Sequence, residues 1–249
     1  MTWALLFAAG ILGGLTGSVA GLASVATYPA LLVAGLPPVT ANVTNTVALV
    51  FNGVGSVLGS RPELRGRGRW VLRMLPVALL GGLAGAVLLL STPAEGFEKV
   101  VPILLGSASV AILLPRRPPD DGDGEGRPVL RTVAELAAIF AICIYGGYFG
   151  AAAGVLLLAL FLRTGHGSLA VANAGKNVVL GLANLVAAVV FAVVAPVQWW
   201  AVLVLGLGCL IGSRLGPVVV RHAPSGPLRL AIGAAGVALA VKLGLDAYR

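Results

Sequence analysis

Carboxylates are scarce in this sequence. Nine Asp and Glu stand among 249 residues, and charged residues of both signs make up only 10%. A soluble domain carries about 25%. So little charge excludes a wetted surface around a packed core, and lipid must take the place of water around most of the chain. No acid lies in the middle of an apolar run, which excludes an intramembrane protease built on paired aspartates. Histidine is confined to His166 and His222, both in connectors, without the spacing of a zinc site or a nucleophile triad. The two cysteines, Cys143 and Cys209, lie inside apolar runs and form no metal or disulfide pattern. They read as small buried apolar residues. A Walker A sequence and a dinucleotide-binding glycine motif are both missing, so no ATP site, cofactor or metal is expected.

What the chain does have is apolar length. It is 58% hydrophobic, with runs at about 3–35, 39–60, 70–91, 97–115, 131–163, 168–195, 197–220 and 227–247. A straight helix needs about 20 residues to cross the hydrocarbon, and six runs fit one crossing each. The first and fifth are too long and are rich in glycine, so they read as broken or re-entrant helices. The N-terminus has no basic leader region, and its apolar run outlasts a signal peptide, so it reads as a retained membrane segment. The expected fold is an all-α, polytopic transmembrane bundle of two repeated halves with broken or re-entrant Gly-rich helices, in a bacterial inner membrane. The halves span 1–115 and 131–249. Between them, residues 116–130 form a charged cytoplasmic linker; its first thirteen residues hold seven charges with Pro and Gly, a composition that does not pack.

Net charge is +8, from 14 Arg and 3 Lys against the nine acids. The positives fall in short connectors, where topology uses them, and form no nucleic-acid patch. Connector 61–73 carries Arg61, Arg65, Arg67, Arg69 and Arg73, which favours the cytoplasm, as does Arg221-His222 near the start of 221–229. Connector 195–198 is uncharged and leads into Trp199-Trp200, an interfacial anchor. This charge pattern reverses between the halves and favours inverted repeats with an odd number of crossings each. Eight plain crossings with parallel repeats is the competing reading.

The halves echo each other in sequence. Gly13, Gly14, Gly17 and Gly21 match Gly146, Gly147, Gly150 and Gly154; Ala41-Asn42 through Asn45-Thr46 matches Ala172-Asn173 through Lys176-Asn177; Asn52 matches Asn184. Steps of three, four and seven residues return to one helix face. Asn42, Asn45, Thr46 and Asn52 therefore share a stripe, and Asn173, Lys176, Asn177 and Asn184 form its counterpart. Two such stripes facing each other would make a polar, substrate-binding pocket at mid-membrane depth. Asn and Thr also serve as interhelical glue, so that alternative stands beside the pocket. Lys176 lies eight residues into a crossing, where an ammonium costs about 2.5–3.5 kcal/mol on insertion scales. No carboxylate in the sequence is placed to neutralise it, since Glu135 suits an i,i+4 pair with Arg131. An unpaired lysine suits an anionic ligand; the alternative is snorkelling to a headgroup. The eight glycines allow close backbone approach or an unwound turn whose free N–H groups meet an anion.

At these residues the sequence resembles the TauE/SafE family, the sulfite and organosulfonate exporters. The likeness runs through Tyr28-Pro29-Ala-Leu-Leu, Gly35-Leu-Pro-Pro-Val-Thr-Ala41-Asn42 and Asn45-Thr46, then Tyr145-Gly-Gly-Tyr-Phe-Gly150 and Ala172-Asn173-Ala-Gly-Lys176-Asn177. It covers nearly the whole chain in order and spacing. The resemblance implies a secondary carrier of small, often sulfur-containing anions. One departure is Gly175-Lys176, where a small hydroxyl residue is expected, and it puts the substrate choice in doubt. The expected partners are a small anion and membrane lipid, with no nucleic acid and homo-oligomerisation left open. The alternative is a membrane assembly or scaffold protein without transport. An intramembrane enzyme would need a nucleophile–base pair, and the sequence offers none.

Overall fold

The computed structural model describes residues 2–93, 129–151, 153–164 and 168–222, with shorter helical pieces at 95–97, 99–100, 102–103, 106, 110, 230, 234, 237–238, 240–241 and 244–245. The linker read over 116–130 lies outside the described residues except for Val129 and Leu130, where a helix already begins. The last apolar run lies largely outside them too.

Among the described residues nine continuous helices form and no strand occurs. They are α1 Thr2–Ala20, α2 Ala23–Val33, α3 Pro38–Gly59, α4 Arg61–Leu64, α5 Gly68–Ser91, α6 Val129–Tyr148, α7 Ala153–Arg163, α8 Leu169–Val194 and α9 Trp199–His222. Five are long and apolar enough to cross a membrane, within α1, α5, α6, α8 and α9. The helix α3 matches them in length but not in hydropathy, because Asn42, Thr44, Asn45, Thr46 and Asn52 interrupt its apolar run. Pro38 opens it at the first helical position, where a missing N–H costs nothing. Large side chains such as Leu72, Leu80, Val193, Leu203, Leu207 and Leu215 face outward. A soluble monomer could not leave so much apolar surface in water, whereas a bilayer covers it.

The two long runs do break. At 11 residues, α2 and α7 are each roughly 16 Å long, about half a bilayer core. The chain folds α2 back along α1, for Gly17 abuts Ala23, and Gly13 abuts Thr27. Likewise α7 returns beside α6. Gly147, at the end of α6, touches Gly82 in α5, whereas Phe161, near the end of α7, lies against Trp70 at the start of α5, ring centroids 5.5 Å apart. Each long run is thus a hairpin that ends where it began.

Helix directions follow from the contacts. In α9, Leu205, Cys209 and Gly216 meet Gly10, Gly14 and Ser18 of α1 in order, so the two run together. Gly55 and Gly59 of α3 meet Ser213 and Pro217 in the same sense. By contrast α8 runs against α3, since Asn177 reaches Ser60 while Gly181 reaches Gly53. The ends of α3 and α9 therefore share one rim, where Arg221 holds Glu63 at 2.6 Å and Gly59 O at 2.8 Å. At the opposite rim Trp3 packs on Trp200, ring centroids 5.1 Å apart.

The Arg221 side chain grips Glu63 through two nitrogens, a strong geometry for a carboxylate. That hydrogen-bonded pairing holds the Glu63 carboxyl below its usual pKa. A lowered folded-state value stabilises the fold above the ordinary carboxylate range, and the contribution is lost as pH falls through it. Glu63→Gln is expected to destabilise the protein by about 0.5–1 kcal/mol at neutral pH. The gap to wild type should close on acidification, as read by thermal melts in detergent across pH.

Candidate substrate cavity

Gly21 and Gly150 make the two breaks. Their φ values of +78° and +73° lie in the left-handed region, where a side chain is strained. Each break strands carbonyls in the last turn of the preceding helix. The opposite half supplies their donors. Asn42 Nδ2 of α3 donates to Tyr148 O of α6 at 2.9 Å, and Asn173 Nδ2 of α8 donates to Ser18 O of α1 at 3.0 Å.

Lys176 joins the second of these sites. Its Nζ donates to Gly17 O and Ser18 O, each at 3.0 Å, at the negative end of the α1 dipole. The side chain is fully buried, which rules out snorkelling to a headgroup. No carboxylate pairs with it among the described residues, and two carbonyls occupy two of its three N–H donors.

Where the breaks meet there is a small cavity. Gly17, Gly21, Gly150, Ser24, Asn52, Asn177 and Asn184 are part of its lining. Asn52 Oδ1 is buried without a hydrogen-bond partner and lies toward Gly17, leaving the Asn52 N–H₂ group to the cavity. Asn177 Nδ2 donates away to Ser60 Oγ at 3.1 Å and keeps its oxygen for the cavity side. Behind the wall, Thr27 donates to Asn45 Oδ1 at 2.6 Å, and Asn45 Nδ2 donates to Ser24 Oγ at 3.0 Å. Ser24, having accepted there, can offer its own O–H inward.

The marked residues thus divide by task. Asn52, Asn177 and Asn184 reach the cavity; Asn42, Asn173 and Lys176 hold the broken ends; Asn45 orients Ser24; Thr46 donates to Asn42 O within its own helix at 3.0 Å and serves no cavity role. Among the glycines, Gly17, Gly21 and Gly150 line the cavity. Gly13, Gly14, Gly147 and Gly154 instead bring backbones together, and Gly146 sits beside Leu180 and Ala153. Ser24 stands out only in the structure. A lone serine in an apolar helix carries no signal until the break turns it toward the opposite half.

The sulfite exporter TauE/SafE family matches residues 5–243. The chain belongs to the TauE/SafE family. It is 29% identical to the probable membrane transporter protein ORF9 of Sinorhizobium sp over 98% of this chain and 92% of that one. It is 25% identical to the probable membrane transporter protein YfcA of Escherichia coli, over 98% and 90%. A probable membrane transporter protein of Haemophilus influenzae is 28% identical over 87% and 84%. No solved structure matches the chain. This TauE/SafE protein is therefore a multi-pass member of a membrane transporter family. Its departure at Gly175 has a local reason: the Trp70 ring lies against Gly175, and even one methyl group there would strike it. Lys176 beside it is fully buried.

Proposed function

We propose that this protein is a secondary carrier of a small oxyanion, foremost sulfite or an organosulfonate, across a bacterial inner membrane. One observation carries the reading: the fully buried Lys176 side chain, without a carboxylate partner among the described residues, is bonded to Gly17, and Gly17 lines a cavity that Ser24 and Asn52 furnish with hydrogen-bond donors. A bound anion would supply the negative charge that a lysine at this depth otherwise lacks. The substrate name comes from the family, and the donor set agrees with it, since oxyanions accept hydrogen bonds from amides and hydroxyls.

The same reading takes the halves as inverted repeats. Opposed directions of α3 and α8, paired hairpins and reciprocal asparagines support it, as does the gathering of Arg221 with the 61–64 segment at one rim. That rim faces the cytoplasm by the positive-inside tendency. In this frame the cavity lies at the repeat interface, where carriers place their substrates.

The test is flux of sulfite, methanesulfonate and sulfoacetate into proteoliposomes, against empty liposomes. Saturable uptake of at least one is expected. Ser24→Ala should reduce it about 10-fold or more, because a hydrogen bond to a charged group is worth about 1.5–3 kcal/mol. Uptake no faster than in empty liposomes for every anion would remove the proposal.

A further inference from the structure

We infer that the cavity is matched to a singly charged oxyanion rather than a doubly charged one. The inference rests on the anion-carrier reading above and adds its charge stoichiometry.

Lys176 is fully buried and does not itself line the cavity; its Nζ donates to Gly17 O, and Gly17 is part of the lining, so it can bring at most one positive charge to the wall. The other buried charged side chain among the described residues is Glu135, in the first turns of α6, and it does not line the cavity. Among the described residues the polar lining consists of amides, hydroxyls and backbone, which carry no net charge. In addition, the carboxyl end of α1 already takes part of the ammonium's field through Gly17 O and Ser18 O. The positive charge presented to a ligand is therefore at most one unit. A monoanion closes that balance. A dianion of the same shape leaves one uncompensated negative charge in a low-dielectric site, where desolvation outweighs what neutral donors return.

The halves also show where a second charge would go. Asn45 holds the place in the first half that Lys176 holds in the second, and it faces Ser24 and Thr27 instead of a carbonyl end. A dianion carrier of this architecture would have a cation at both places.

Methanesulfonate and sulfate are tetrahedral anions of nearly equal size that differ by one charge. Their fluxes are to be compared in proteoliposomes of the full chain under equal gradients. Methanesulfonate is expected to lead by about 100-fold, equivalent to about 2.8 kcal/mol at 1.4 kcal/mol per decade. Sulfate flux equal to or above it overturns the charge match and leaves anion carriage standing. Flux of neither anion, with no thermal stabilisation by either, overturns the charge match, and only the failure of sulfite and sulfoacetate as well removes the carrier reading. Asn45→Lys supplies the converse test. In folded variant protein the methanesulfonate-to-sulfate ratio should fall at least 10-fold, and an unchanged ratio counts against the inference.

Discussion

Lys176→Met is expected to lower anion flux to about 1% of wild type or less while the protein still inserts. Methionine copies the length of the lysine stem and removes its charge. Insertion becomes easier by roughly the 2.5–3.5 kcal/mol that a central ammonium costs. The lost attraction to a bound anion is of similar size, and each 1.4 kcal/mol is tenfold. Lys176 also fastens Gly17 O and Ser18 O, so a drop in flux could come from a loosened α1 end. Two companions separate the causes. Lys176→Gln keeps a donor for those carbonyls without the charge, and should stay as inactive as the methionine variant. Lys176→Arg keeps the charge, and should retain measurable flux. Wild-type flux in Lys176→Met vesicles would end the electrostatic account of the cavity.

Gly21→Ala should cost the protein its fold. Two effects act together at this position. The left-handed backbone penalises a side chain by roughly 1–2 kcal/mol. The new methyl group would also be driven into the backbone of Gly154 at the hairpin crossing, and backbone cannot give way as a flexible side chain can. Overpacking alone costs typically 1–3 kcal/mol. Gly35 is the natural control, because its φ is +90° and nothing lies within 4 Å of where a methyl group would sit. Gly35→Ala should show the conformational part alone, about 1–2 kcal/mol. Size-exclusion profiles and thermal melts in detergent decide the matter. A monodisperse Gly21→Ala protein melting with Gly35→Ala would show that the crossing tolerates a spacer.

Much of this architecture is legible in the sequence, and the reason is the solvent. A bilayer demands long apolar runs, so helix limits such as Gly68–Ser91 and Trp199–His222 follow closely from composition. The two overlong runs declared themselves as broken by length and glycine. The register of the breaks did not. Sequence matching sets Gly21 against Gly154 and Gly17 against Gly150, whereas the left-handed glycines are Gly21 and Gly150, and Gly21 meets Gly154 in contact. Glycines spaced one turn apart make neighbouring alignments nearly equivalent, so only the backbone conformation distinguishes them. The polar stripe suffered a related loss. Asn42, Asn45 and Asn52 share a face of α3 by periodicity, yet they reach α6, α2 and the cavity respectively, because that face meets three neighbours along its length.

The exchange of amide donors across the centre has a consequence for how such a chain can be divided. A fragment ending between Ser91 and Val129 would contain the severed helix of one half and the fastener for the other, and so would lack its own. Neither piece could mature alone. Drift in one half is read out in the integrity of the other, which binds the two into a single unit of selection.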